Sequence, residues 1–164
     1  MSHMKSLLVC AVLLLPFAAV PATAQEQPDL HSAIVEAYGL VRDGTRQILH
    51  DEMMLTAEEA QGFWPAYDEY EAELAEIEDR YLDLVKAFLQ RYDRGILNDE
   101  DAGKIIDAGL SIREDRLELR RRHLREFRKS LPEIKVLRFF QLENQVQAEV
   151  DAVLAVAIPL ADPR

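Results

Sequence analysis

The segment AQGFWPAYDEYEAELAEIEDRYLDLVKAF, residues 60–88, decides the fold. Ala60, Phe63, Tyr67, Tyr70, Leu74, Ile77, Tyr81, Leu84 and Phe88 recur at alternating intervals of three and four residues. That spacing lines up one stripe of an α-helix and is the a/d seam of a heptad repeat. Just upstream, Thr56 and Glu59 have the spacing of a capping box, in which each side chain satisfies the other's backbone N–H. The pattern predicts a helix over 57–92, roughly 50 Å long at 1.5 Å per residue. Pro65 lies inside it. Proline removes one hydrogen bond and crowds the carbonyl of Gln61, so a kink or a break is expected there.

Downstream, Asp93-Arg94-Gly95 reads as a turn and Asn98 as the N-cap of a second long helix over 99–130. Its Ile106, Leu110, Arg113, Leu117, Arg120, Leu124, Phe127 and Leu131 repeat the same spacing. Folded back through residues 93–98, the two seams meet. Tyr67 is set against Leu124, Leu74 against Leu117 and Tyr81 against Leu110. Between them fall Phe63 with Phe127, Tyr70 with Arg120, Ile77 with Arg113, and Leu84 with Ile106. Ile105, Ile112 and Leu119 form a second stripe that some other element must cover.

A third helix is expected over 132–156, with Pro132 at its first position. It carries Ile134, Leu137, Phe139, Phe140, Leu142, Val146, Val150, Val153 and Leu154. Being apolar on more than one side, it is either well buried or part of a homodimer interface. A short N-terminal helix over 30–50 places Leu30, Ile34, Tyr38 and Val41 on one face. The expected class is all-α: a long antiparallel helical hairpin with two further helices.

Residues 1–24 read as a secretory signal peptide. Lys5 supplies the positive start and Ser6 to Val20 the apolar run. Ala22-Thr23-Ala24 supplies the cleavage site, with Met1 and Met4 both compatible with initiation. The apolar run is about 15 residues, short of the ~20 that span a bilayer. Residues 25–164 then form one helical domain, exported to the periplasm and not stably inserted in a membrane. The only cysteine, Cys10, leaves with the leader. The formal charge of −11 at pH 7 argues against nucleic acid and against anionic lipid as partners.

The basic run Arg113, Arg116, Arg120, Arg121, Arg122, Arg125, Arg128 and Lys129 is a candidate binding face or one half of an intramolecular charge match. In the expected register it lies beside Glu69, Glu71, Glu73, Glu76, Glu78 and Asp79, which favours the match. Arg121, Arg122 and Arg125 are the arginines expected to stay free for a partner. Trp64 lies off the seam and either packs under another helix or anchors a partner. His31, His50 and His123 are far apart and lack metal-ligand spacing, so no metal and no cofactor is expected. There is no nucleophile triad and no phosphate-binding loop. The carboxylates read as solvated, with nothing to tune them for acid–base work. No catalytic residue is assigned.

Leu55-Thr56-x-x-Glu59 and Leu97-Asn98-x-x-Asp101 are the same kind of helix start, either two ordinary caps or an internal repeat. In an exported helical chain they resemble the LTxxQ periplasmic proteins of the Spy and CpxP group over roughly residues 50–140. Glu59 and Asp101 stand where that motif has glutamine. Phe63 to Tyr70, Phe139 to Glu143 and Ile158 to Leu160 look closer to exported bacterial proteins carrying an F-W-P-x-Y-x-x-Y segment, a group without an established activity. The first resemblance implies a non-enzymatic, ATP-independent chaperone or envelope stress adaptor. Its partners would be unfolded or partner envelope proteins. The alternative is a periplasmic sensor or regulatory module that binds a metal ion or a signalling partner.

Overall fold

A computed structural model describes residues 30–163. The expected leader, with Lys5 and Cys10, lies outside the described residues. Four helices follow in chain order: α1 (Leu30–Glu52), α2 (Ala57–Asp93), α3 (Asp99–Phe127) and α4 (Glu133–Ala157). No strand occurs among the described residues. The all-α class and the long α2–α3 hairpin are as the periodicity predicts.

Local chemistry sets the ends. Thr56 Oγ1 accepts from Glu59 N at 3.2 Å, and Glu59 Oε2 accepts from Thr56 N at 2.8 Å, completing the capping box. Asn98 Oδ1 accepts from Asp101 N at 3.0 Å and starts α3. Gly95, at φ +62°, makes the turn between them, a left-handed conformation in which a side chain is strained. Pro132 stands at the N-cap of α4, so the helix starts one residue later than expected. The α1–α2 link holds Met54 at φ +50°. Two cations of α4 fasten that link: Lys135 Nζ donates to the Met54 carbonyl at 2.8 Å, and Arg138 Nε donates to the Glu52 carbonyl. Carbonyls at the end of α1 therefore find donors on another helix. α2 runs unbroken through Pro65. Pro65 and Gln61 are both exposed, where water can take the carbonyl that proline leaves without a donor.

Backbones approach closely between α2 and α3, α1 and α4, and α1 and α2. One core cluster centres on Phe63, Tyr70, Phe127 and Phe139 and includes Leu49, Met53 and Leu119. The rings of Phe127 and Phe139 lie 4.7 Å apart and edge-on. Burying each such ring is worth about 1.5–3 kcal/mol. A second cluster joins Ile34 and Tyr38 of α1, Leu82, Val85 and Leu89 of α2, and Val150 and Leu154 of α4. Along α2 the fully buried positions thus pass from Phe63, Tyr67, Tyr70 and Ile77 to Leu82, Val85 and Leu89. A straight helix drifts against a strict heptad in this way.

Over residues 106–117 the facing side of α3 differs from the expected one, while Leu124, Phe127 and Leu131 pack on the core as expected. Ile106, Leu110 and Leu117 are 61%, 51% and 47% exposed, whereas Ile112 and Leu119 are 6% and 1% exposed. Phe63 does meet Phe127, at 5.4 Å between ring centroids. Leu84 lies beside Gly109. The physical reason is charge. This part of the stripe contains Arg113, and burying its guanidinium without a partner costs more than leaving three aliphatic side chains about half exposed. The stripe one residue back, about 100° round the helix, holds Ile105, Ile112 and Leu119 and carries no formal charge there. It is the one α2 covers. Close approach at the far end of the hairpin depends on Gly62, where a Cβ would sit 2.5 Å from Ser130 Cβ.

Candidate functional site

Glu143 sits on the buried face of α4, one turn after Phe139, and is 7% exposed. Tyr70 of α2 donates its hydroxyl hydrogen to Glu143 Oε1. Arg120 of α3 brings Nε to 3.3 Å from Glu143 Oε2, close enough for an ion pair. The two atoms are not aligned for a hydrogen bond, and each is buried without another partner. Burial first, and the Glu143 charge second, push the Tyr70 phenol well above its ordinary range, so it stays a donor. Beside this layer His123, 3% exposed, places Nε2 at 3.0 Å from Glu73 Oε1. Arg122 also bonds Glu73. His123 Nδ1 is buried without a partner. One turn further along, Arg116 bonds Gln147 and lies 3.6 Å from Glu78.

The seam spacing sets Tyr70 against Arg120, and the two do meet here; Glu143 between them is not expected. The sequence reading put every carboxylate on a solvated face, and Glu143 contradicts it. The available signal was its position: Glu143 falls at the heptad spacing of Val136, Phe139 and Val150 in an otherwise apolar stripe. Chemically, Glu143 is held between a neutral donor and a cation. The arrangement fixes the register of α4 against α2 and α3.

Between α3 and α4 the long side chains leave a groove of about 710 Å³. Tyr38, Tyr81, Ile112 and Leu154 supply apolar surface within it. Arg113, Arg116, Leu117 and Arg120 line it from α3, and Ile158-Pro159-Leu160 lines it from the chain's end. A smaller cleft of about 270 Å³ lies between α1 and α4, lined by Leu30, Ile34, Val150 and Val153.

The four candidate partner-binding residues are not gathered in one place. Trp64 is half-buried and faces α1, with the Arg46 guanidinium 5.0 Å from its ring centroid and His50 stacked at 6.3 Å. It packs edge-on against Phe63 and Tyr67 as well. Arg122 is not free, because it bonds Glu73. Arg121 and Arg125 are exposed and make no ion pair among the described residues. The expected match of the basic run to the acidic face of α2 holds for Arg116 with Glu78 and for Arg122 with Glu73. Arg120 turns to α4 instead.

Among the described residues, no group of three or more histidine, cysteine, aspartate or glutamate side chains could hold a metal ion. His50 is exposed and bonds Asp51 at 3.1 Å. No helix among the described residues is long and apolar enough to cross a membrane. Searches against family models, curated proteins and solved structures find no match to this chain.

Proposed function

We propose that the chain is a non-enzymatic binding protein of the cell envelope, periplasmic once its leader is removed. In this reading it works as an ATP-independent chaperone or stress adaptor that holds partly unfolded or partner proteins. The groove between α3 and α4 carries the proposal. It offers apolar surface beside arginines and Leu117, on helices held by a core of their own. A partly unfolded segment gains by covering its apolar side chains there. Its charged and backbone groups stay near water, so release costs little and binding is reversible.

The test is aggregation of a reduced client protein followed by light scattering, with the protein in several-fold excess. Suppression without ATP is the expected result, and Leu117→Asp should weaken it. Leu117 is 47% exposed, so the substitution leaves the core intact. No suppression at any excess removes the chaperone role. Full suppression by Leu117→Asp would place the binding surface elsewhere.

A further inference from the structure

We propose that the outward face of α4 is a two-fold interface between two copies of this chain, with the two α4 helices packed antiparallel. The inference goes beyond the client-binding role and does not rest on it.

α4 is apolar on more than one side, and the core takes only one of them, through Val136, Phe139, Val150 and Leu154. On the opposite side Ile134 and Leu137 are 71% and 53% exposed. Gln141, Asn144 and Gln145 continue that side, all exposed. Ala148, Ala152 and Ala155 complete it and are exposed too. At about 100° per residue these positions share one sector of the helix, roughly 100° wide. Charged residues make up 30% of the chain, yet this exposed sector holds none. A face that met only water is where charges would be found.

The pattern is complementary to itself, which selects a second copy as the occupant. With a two-fold axis between Asn144 and Gln145, Ile134 meets the partner's Ala155, Leu137 meets the partner's Ala152, and Gln141 meets the partner's Ala148. Each long side chain falls over a small one, so the helices approach closely and interdigitate. Asn144 and Gln145 stand at the axis, where their amides can donate and accept across it. A parallel pair would set isoleucine on isoleucine at one end and alanine on alanine at the other, crowding the first and hollowing the second.

The charges at the edges of the face favour the same arrangement. Arg138 and Glu149 flank one edge. Antiparallel packing brings Arg138 within two residues of the partner's Glu149, whereas parallel packing sets each against its like. Arg138 also holds Glu52 but keeps 43% of its side chain exposed. On the other edge stand Glu133, paired with Arg128, and Asp151, bonded to Gln147. In the antiparallel pair these two carboxylates fall five residues apart, about 7.5 Å along the helix.

The face supplies far fewer than the ~20–30 residues a side of a standard interface, so a dissociation constant on the order of 10 µM is expected. The test is sedimentation equilibrium of the chain from Gln25 to Arg164 at loading concentrations spanning that value. A reversible monomer–dimer equilibrium is the expected result. Leu137→Glu and Ala152→Lys should each weaken it about tenfold, with an unchanged melting curve because both positions are exposed. The double variant Leu137→Glu, Ala152→Lys places unlike charges opposite each other only in the antiparallel pair, and should restore the dimer. A chain still monomeric at about 200 µM would overturn the proposal. So would a dimer that both single variants leave intact, or a double variant that associates no better than the single ones.

Discussion

Replacing Arg120 with methionine leaves the buried Glu143 carboxylate without its cation. The geometry fixes how much this should cost. Arg120 and Glu143 are 24% and 10% exposed at their side chains, so neither charge is well screened by water. Removing one partner of a buried pair typically costs about 3–5 kcal/mol. Tyr70 still donates to Glu143, and Arg120 retains some solvent. The lower end, about 3 kcal/mol, is therefore expected. Glu143→Leu alone should cost a similar amount, because it strands the guanidinium and the Tyr70 hydroxyl. The double variant Arg120→Met, Glu143→Leu removes both charges and fills the space with apolar atoms. Such exchanges are often neutral or stabilising, but the buried Tyr70 hydroxyl still loses its acceptor, so the double variant should sit about 1–3 kcal/mol below the parent chain. Urea unfolding followed by circular dichroism at the helix band gives all four corners of the cycle. A cost under about 1 kcal/mol for Arg120→Met, or a double variant as unstable as the two single losses added together, would refute the account of this layer.

Three further outcomes can be checked. Burial pushes the Tyr38, Tyr67 and Tyr70 phenols upward, Tyr70 with help from Glu143. Their neutral forms are favoured in the fold, so this stability is whole below the unfolded tyrosine value of about 10 and is lost as pH rises through the folded values. Tyrosinate absorbance from these residues should appear together with loss of helix. Their ionisation near pH 10 in an intact fold would contradict the burial. Gly62→Ala places a Cβ 2.5 Å from Ser130 Cβ and should lower stability by about 1–3 kcal/mol; an unchanged Tm would show that the hairpin end is looser than described. The facing side of α3 is tested by a pair of variants: Leu119→Ala should cost about 2–5 kcal/mol, while Leu117→Asp should stay within about 0.5 kcal/mol. Equal costs would restore the register expected from spacing alone.

Much of the architecture is legible in the chain because it rests on local signals. The capping pairs at Thr56 and Asn98, the turn at Gly95 and the three–four spacing need only near neighbours to be read. The face of α3 is not legible from spacing, since its two stripes repeat almost alike. Arg113 decides between them, and weighing its desolvation against apolar content would have selected Ile112 and Leu119. The polar layer is harder still. Tyr70 and Glu143 are 73 residues apart, and no local pattern announces their meeting. A glutamate among aliphatic residues reads as surface until a donor and a cation are known to face it. At Pro65 the helix does not break, because packing of Phe63 and Tyr67 on either side holds it together across the missing hydrogen bond.

The backbones of α3 and α4 stay apart, and Arg116, Arg120, Gln147 and Glu143 reach across the gap between them. The width of the opening is therefore a property of side-chain length, not of helix contact. Shortening Arg116 or Gln147 would widen the mouth while α2 kept α3 in place and α1 kept α4 in place. A family of such chains could resize its aperture by one or two substitutions and leave the scaffold as it was.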